Sequence, residues 1–476
     1  MSTTSQAGQR INALLDENSF VEIGALVTAR ATDFNLKQTE TPSDGVITGY
    51  GVIDGSLVYV YSQDASVLNG TIGEMHAKKI VNLYDLAMKT GAPVIGLIDS
   101  AGLRLQEATD ALNGFGGIYK KQVEASGVIP QITAIFGTCG GGLAVVPTLT
   151  DFTFMEGKKA KLFVNAPNAI DGNEISKCDT SSAAFQSEEA GIVDVVAEEA
   201  DVLAQIRELV SMLPANNEDS MAYAECTDDL NRVCEGMANC AGDASIALSQ
   251  LSDNGVFFET KRNYAKDMVT GFIRLNGATV GAVANRTEVY GEDGKAADKF
   301  EAVLSPEGCE KAADFIQFCD AFDIPVLSLT NVKGYASTKC AEKRMAKAAA
   351  RLTYAFANAT VPKVNVITLK AMGSAYVAMN SKAIGADITM AWPDAEIGTM
   401  DAKLVAKIIC DGKGAEAIDA CAKEYAALQV GAVSAAKRGY VDQIVAPEDT
   451  RKYVIGAFEM LYTKHEERPV KKHGTV

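Results

Sequence analysis

The chain has 476 residues, 47% of them hydrophobic and 22% charged, enough to bury large cores and to divide into two or three domains. A net charge of −17 and the lack of a long basic run argue against nucleic acid or an anionic membrane as the main partner. The first twenty residues are polar and no run is long enough to span a bilayer, while ten scattered cysteines without a CxxC pair suit reduced, mostly buried thiols of a cytosolic protein better than a disulfide frame or a zinc ribbon.

Residues 1–40 predict a helix and then a loop. Residues 45–63 alternate apolar positions around Asp54-Gly55, a hairpin signal. From Gly73 to Thr90 the spacing of Ile80, Leu83, Tyr84 and Met88 predicts a helix. Val94 to Ile98 is a continuous apolar run, which predicts a strand buried on both faces, and it ends in Asp99-Ser100-Ala101-Gly102. A helix over 110–126, a strand over 131–136, a glycine turn over 137–142 and a further helix follow. Strand, turn, helix, strand is the order of an α/β domain built from crossover units.

The pattern is then written a second time. Ile47 to Gly55 returns as Val269 to Gly277; Pro93 and Pro325, and Pro130 and Pro362, each stand 232 positions apart. Each half opens alike, at Asp16 to Glu22 and Asp253 to Glu259, and closes alike, at Gly191 to Asp194 and Gly439 to Asp442. The preserved order predicts a duplicated domain, with one half over 1–230 and the other over 245–476. The polar, acidic stretch Pro214 to Asp219 places a linker at about 212–245, and a helix over 449–464 with a basic tail closes the chain.

The sharpest local feature is Gly137-Thr138-Cys139-Gly140-Gly141-Gly142. Glycine lets a ligand approach the backbone, and a helix start directs free N–H groups outward, so such a turn is able to hold an oxyanion or a phosphate. A turn that only packs a strand against a helix is the plain alternative, and the spacing fits neither GxxxxGK[ST] nor GxGxxG. The 232-residue offset places Gly141-Gly142-Leu143 on Gly373-Ser374-Ala375, which implies two amide cradles. His76, His465 and His473 are the only histidines, and His76, the one realistic partner for a serine or cysteine nucleophile, falls in a predicted helix and reads better as structural. Chemistry is therefore expected from backbone amides. Glu107 and Glu396 are candidate acid–base groups that read better as solvated or capping charges.

Several long stretches resemble the biotin-dependent acyl-CoA carboxyltransferases, the family of propionyl-CoA carboxylase β chains and methylmalonyl-CoA decarboxylase α subunits. They include Leu57 to Asp64, Gly91 to Leu97, Ala125 to Gln131, Leu149 to Met155, Phe318 to Phe322, Ala359 to Val364 and the tail Arg468 to His473. The resemblance implies an α/β fold of two tandem crotonase-like domains built from repeated β-β-α units, with six chains arranged as a trimer of dimers. It implies that the first half holds a coenzyme A thioester and that the second half of a facing subunit holds biotin. Carried over by position, the Gly141 and Gly142 amides take the thioester oxygen, and those of Gly373, Ser374 and Ala375 take the ureido oxygen of biotin. Ser100, Gly102 and Arg104 beside the first turn, and Gly334, Tyr335 and Val377 beside the second, are the expected cofactor-binding residues; no metal is expected. Cofactor and substrate then supply the reactive groups, which suits the shortage of histidine.

Where the family has Asp-Ser-Gly-Gly-Ala-Arg this chain has Asp99-Ser100-Ala101-Gly102-Leu103-Arg104, and Gly-Gly-Ala becomes Gly373-Ser374-Ala375. Asp-Val-Pro-Gly-Phe becomes Asn331-Val332-Lys333-Gly334-Tyr335, and Arg344 to Ala350 replaces a glycine-rich segment with Arg-His-Gly. Lys333 offers a new charge near the cleft for a carboxylated substrate but reads better as a solvent-facing lysine, and Val377 reads as a pocket wall for a short acyl group. The chain carries neither an Ala-Met-Lys-Met biotinylation motif nor an ATP-grasp signature, so the expected partners are a separate biotin carboxyl carrier protein and a biotin carboxylase. Membrane subunits of a sodium-pump decarboxylase are the alternative partners, with transfer running from methylmalonyl-CoA to biotin. A biotin-independent hydratase of crotonase type and a non-catalytic scaffold subunit are the remaining readings.

Overall fold

The computed structural model describes residues 4–31, 40–219, 222–291 and 293–468, so the family-like tail beyond Arg468, with Lys471 and Lys472, lies outside the described residues. The chain divides into two compact units, Met1–Ala222 and Tyr223–Val476.

Among the described residues each unit is built on one eight-stranded sheet. In unit 1 the strands run from edge to edge as Val21–Ile23, Val46–Ile53, Ser56–Gln63, Val94–Ser100, Gln131–Gly140, Phe152–Glu156 and Val195–Ala197, with Lys161–Phe163 pairing the far end of Gln131–Gly140. Unit 2 uses the same order: Phe257–Thr260, Met268–Leu275, Ala278–Asn285, Val326–Val332, Lys363–Met372, Ile388–Ala391 and Gln443–Ile444, with Glu396–Gly398 on the far end of Lys363–Met372. The hairpins are antiparallel and the strands after them parallel, and the parallel strands are buried as their unbroken apolar runs require.

Both hairpins turn on two residues in the left-handed region, Asp54 and Gly55 at φ 48° and 82°, Asn276 and Gly277 at φ 50° and 79°. That is what a two-residue connection matched to strand twist demands. The like openings of the two halves have one cause. The Asp16 carboxylate accepts the N–H groups of Asp54 and Gly55, both at 3.1 Å, and Arg207 Nη2 at 2.7 Å. In unit 2 the Asp253 carboxylate accepts the Asn276 and Gly277 N–H groups at 3.3 and 2.7 Å and Arg451 Nη2 at 2.6 Å. The like closings also have a cause: Asp194 accepts the Thr153 N–H and Asp442 the Thr389 N–H, each at 2.8 Å.

The strand after the hairpin is reached through a helix in each unit, Glu74–Thr90 and Pro306–Ala321. In the first, Ile80, Leu83, Tyr84 and Ala87 face the core, and Gly91 ends the helix in the left-handed conformation, φ 64°. The next helix of unit 1, Ala108–Ala125, packs closely on it because a Cβ at Gly114 would stand 2.7 Å from Ala77 Cβ.

Several expectations are corrected. The strand predicted over 131–136 continues to Gly140, paired through Ser100 to Cys139 and then with Lys161–Phe163, so the turn begins at Gly141. The helix beyond it is a tight turn, Gly141–Ala144, and one further turn, Val145–Thr148. Unit 2 adds the helices Ala402–Ile409 and Ala415–Gln429, for which unit 1 has short turns only. It also inserts the ribbon Glu288–Tyr290 with Ala296–Lys299 between hairpin and helix, where twenty residues, 286–305, replace the ten of 64–73. All ten cysteines are free, and five of them are buried: Cys139, Cys234, Cys309, Cys319 and Cys410.

Candidate functional site

The glycines of Gly137 to Gly142 separate by what a side chain would meet. A Cβ at Gly137 would lie 1.9 Å from Asp99 Oδ1, and one at Gly140 2.6 Å from the Phe163 ring, so these two glycines make room for neighbours inside the domain. Gly141 has φ +64° and open space around the position of a Cβ. Gly142 is exposed, with only the Tyr119 hydroxyl at 3.2 Å and the Phe115 ring at 4.0 Å. The left-handed glycine turns the chain out of the sheet, and the first N–H groups of the helical turn it opens have no acceptor within that turn. Of the four glycines, Gly141 and Gly142 are the two that packing inside the domain does not require.

Ser100 and Gly102 lie against this turn. Ser100 is buried opposite Cys139, its hydroxyl accepts the Gly102 N–H at 3.0 Å, and the Cβ position of Gly102 is 3.5 Å from the Gly140 carbonyl. Arg104, expected among the cofactor-binding residues, is instead fully buried. Its guanidinium is paired with Asp44 at 2.7 Å and Glu107 at 2.8 Å and donates to the Thr71 carbonyl at 2.7 Å. With the Thr71 hydroxyl at 3.3 Å, four acceptor atoms surround this desolvated cation and hold it inside the unit. Glu107 is a capping charge as expected, accepting the Glu74 N–H at the start of its helix, but it is buried rather than solvated.

Unit 2 repeats the turn. Gly373 follows the strand Lys363–Met372 with φ +63°, and Ser374 and Val377 of the helix Gly373–Ala378 are exposed while Ala375 is buried. A Cβ at Gly373 would be 3.1 Å from the Thr399 carbonyl, and the Thr399 hydroxyl bonds the Tyr425 hydroxyl at 2.9 Å, so one of the added helices backs this turn. Gly334 has open space at its Cβ position, and Gly334 and Tyr335 pair with Val303 and Leu304. Lys333 is exposed and paired with Glu301 at 3.0 Å. Glu396 is solvated, 3.6 Å from Lys370.

His76 takes no part in either turn. It is fully buried, its ring nitrogens are 3.0 Å from the Asp44 carbonyl and 3.2 Å from Gln63 Nε2, and burial, reinforced by the Arg104 charge, pushes its pKa down to about 3. The imidazole is neutral at physiological pH. Among the described residues no group of three His, Cys, Asp or Glu side chains is placed to hold a metal ion, and no helix is long and apolar enough to cross a membrane.

Two features of the site were not readable in the sequence. One is the Asp99 carboxylate, which fills the space at Gly137 and meets buried Arg10 at 3.1 Å. The other is Tyr119, whose hydroxyl donates to the Gly142 carbonyl. Both come from contacts across the fold.

Residues 4–476 match the family model described as carboxyl transferase domain. The chain is 39% identical over 484 residues to the propionyl-CoA carboxylase beta chain of Roseobacter denitrificans, covering 99% of this chain and 93% of that protein. It is 39% identical over 488 residues to the methylmalonyl-CoA decarboxylase subunit alpha of Propionigenium modestum, covering 99% and 92%. Among solved structures, the transcarboxylase 12S hexamer with hydrolysed methylmalonyl-coenzyme A bound superposes with a TM-score of 0.92 at 35% identity, covering 99% of this chain and 93% of that one.

Proposed function

The chain belongs to the carboxyl transferase domain family and is an acyl-CoA carboxyltransferase, and on that premise we propose that its two glycine turns hold the two carbonyl oxygens between which CO2 is passed. The acyl-CoA thioester oxygen is assigned to Gly141 and Gly142, and the ureido oxygen of carrier-borne biotin to Gly373, Ser374 and Ala375. The observation that carries the reading is the pair of left-handed glycines, Gly141 and Gly373, 232 positions apart at the ends of equivalent strands and each opening a helical turn.

Both turns suit an oxyanion. Each offers N–H groups without a helical acceptor at a residue with no side chain, and backbone donors fixed in advance stabilise a developing negative charge without reorganising. The turn at Gly141 is further shaped by Gly102 on the neighbouring loop, and the turn at Gly373 by the Thr399 carbonyl behind it. Biotin, when bound, would supply the nitrogen that carries CO2. The protein's own residues orient, exclude water and hold negative charge; the described histidines and the buried Glu107 leave no relay to assign beside Gly141.

The substrate proposed is a short acyl-CoA of the propionyl/methylmalonyl or acetyl/malonyl type, with a separate biotin carboxyl carrier protein as partner and six copies in the assembly, the second turn being supplied by a neighbouring copy. Relatives of equal identity include carboxylase and decarboxylase components. The partner that charges or discharges the carrier, a biotin carboxylase or a membrane decarboxylase pump, therefore sets the direction. Purified protein given methylmalonyl-CoA or malonyl-CoA and free biotin is expected to release CO2 only when biotin is present. Turnover of acyl-CoA without biotin would move the chain to the hydratases, and inertness with biotinylated carrier as well would make it a scaffold.

A further inference from the structure

We propose that Tyr119 is a positioning residue of the first cradle, its hydroxyl pinning the Gly142 carbonyl, and with it the Gly142–Leu143 peptide plane, so that the glycine pair just before that plane presents its N–H groups in one fixed orientation. The proposal deepens the acyl-CoA assignment of Gly141 and Gly142 and rests on it. Those two residues are the most torsionally free pair available, a glycine at φ +64° followed by an exposed glycine. Donors that wander lose most of their worth to a transition state, because electrostatic stabilisation depends on dipoles already aimed before the charge appears.

Two hydrogen bonds fix the Gly142 carbonyl: the Val145 N–H from within the turn and the Tyr119 hydroxyl from the helix Ala108–Ala125. Tyr119 is held by its own packing, its ring set edge-on to buried Phe115 with centroids 6.1 Å apart. Burial keeps the phenol pKa above its usual value, so the hydroxyl retains its proton at neutral pH. Among the described residues the tether belongs to the first turn alone. The residue 232 positions on is Arg351, whose guanidinium is engaged with Asp314 at 3.4 Å and Glu310 at 3.8 Å.

The test is Tyr119→Phe, which removes one oxygen and leaves the ring against Phe115. Hydrogen exchange of the backbone over residues 141–145 is expected to quicken about tenfold, with the melting temperature unchanged within about two degrees, since a single hydrogen bond is lost at a half-buried site. In the biotin-dependent release of CO2 from methylmalonyl-CoA, kcat is expected to fall about tenfold with KM within twofold, as for a group that acts only on the transition state. Unchanged exchange overturns the tether, and unchanged kcat with quickened exchange overturns its role in turnover. An inactive wild type would instead sink the functional assignment, and the exchange measurement would still decide the tether.

Discussion

The Asp99 carboxylate occupies the place where a side chain of Gly137 would begin, 1.9 Å from its Cβ position, and carries a 3.1 Å ion pair to the buried guanidinium of Arg10. Gly137→Ala is therefore expected to act on stability. The methyl must displace the carboxylate and leave Arg10 with Glu199 as its remaining ion-pair partner, beside the Phe136 ring. Overpacking together with a broken, largely buried pair costs about 3 kcal/mol. Urea denaturation of wild type and variant measures it, and a midpoint that does not move would contradict the packing described.

Gly142→Val addresses the turn itself. Its Cβ enters the space beside the Tyr119 hydroxyl, 3.2 Å away, and its branches cover the face from which an acyl oxygen would approach. Turnover should fall by more than about a hundredfold, as when an oxyanion donor is lost, while light scattering reports the same particle mass as wild type. An active variant would remove Gly142 from the site.

The two aspartate clamps predict unequal losses. Arg451 and Asp253 are 0% and 4% exposed, whereas Arg207 and Asp16 are 27% and 29% exposed. Arg451→Met leaves a buried carboxylate without its cation and is expected to cost about 3–5 kcal/mol. Arg207→Met breaks a solvated pair and should move the melting temperature little. Equal shifts for the two variants would show that burial does not set the difference.

His76 predicts a pH dependence. Its folded pKa of about 3 lies below the ordinary imidazole value of 6.5, so the folded state binds fewer protons than the unfolded state between those limits. Its contribution is present above pH 6.5 and is lost as pH falls toward 3. Between pH 6.5 and 5 that loss is on the order of 2 kcal/mol. Denaturation at pH 7 and pH 5 should show a slope that His76→Gln flattens; equal slopes would mean that the ring is charged or solvated.

Much of the fold was legible in the sequence because its signals are local. The Asp54-Gly55 turn, the apolar run from Val94 and the helical spacing of Ile80, Leu83 and Tyr84 each report one element, and the repeat reports their order. The end of the strand at Gly140 was not legible, because the pairing with Lys161–Phe163 that extends it comes from a segment twenty residues later. The burial of Arg104 was hidden for a similar reason. Its sequence neighbours place it beside the turn, while Asp44, sixty residues upstream, draws it inside. The helices Ala402–Ile409 and Ala415–Gln429 did leave a trace, in the helical spacing of Leu404, Val405 and Ile408, which reading unit 2 as a copy of unit 1 passes over.

The 232-residue interval holds from the helix starts at Glu74 and Pro306 to the glycines at Gly141 and Gly373, and the lengths diverge just outside it, first at the ribbon Glu288–Lys299. Duplication has thus kept fixed the frame that aims both backbones and left its margin free to grow. For protein engineering, that ribbon marks a natural graft point, where a loop of different length is expected to leave the geometry of either turn as it stands.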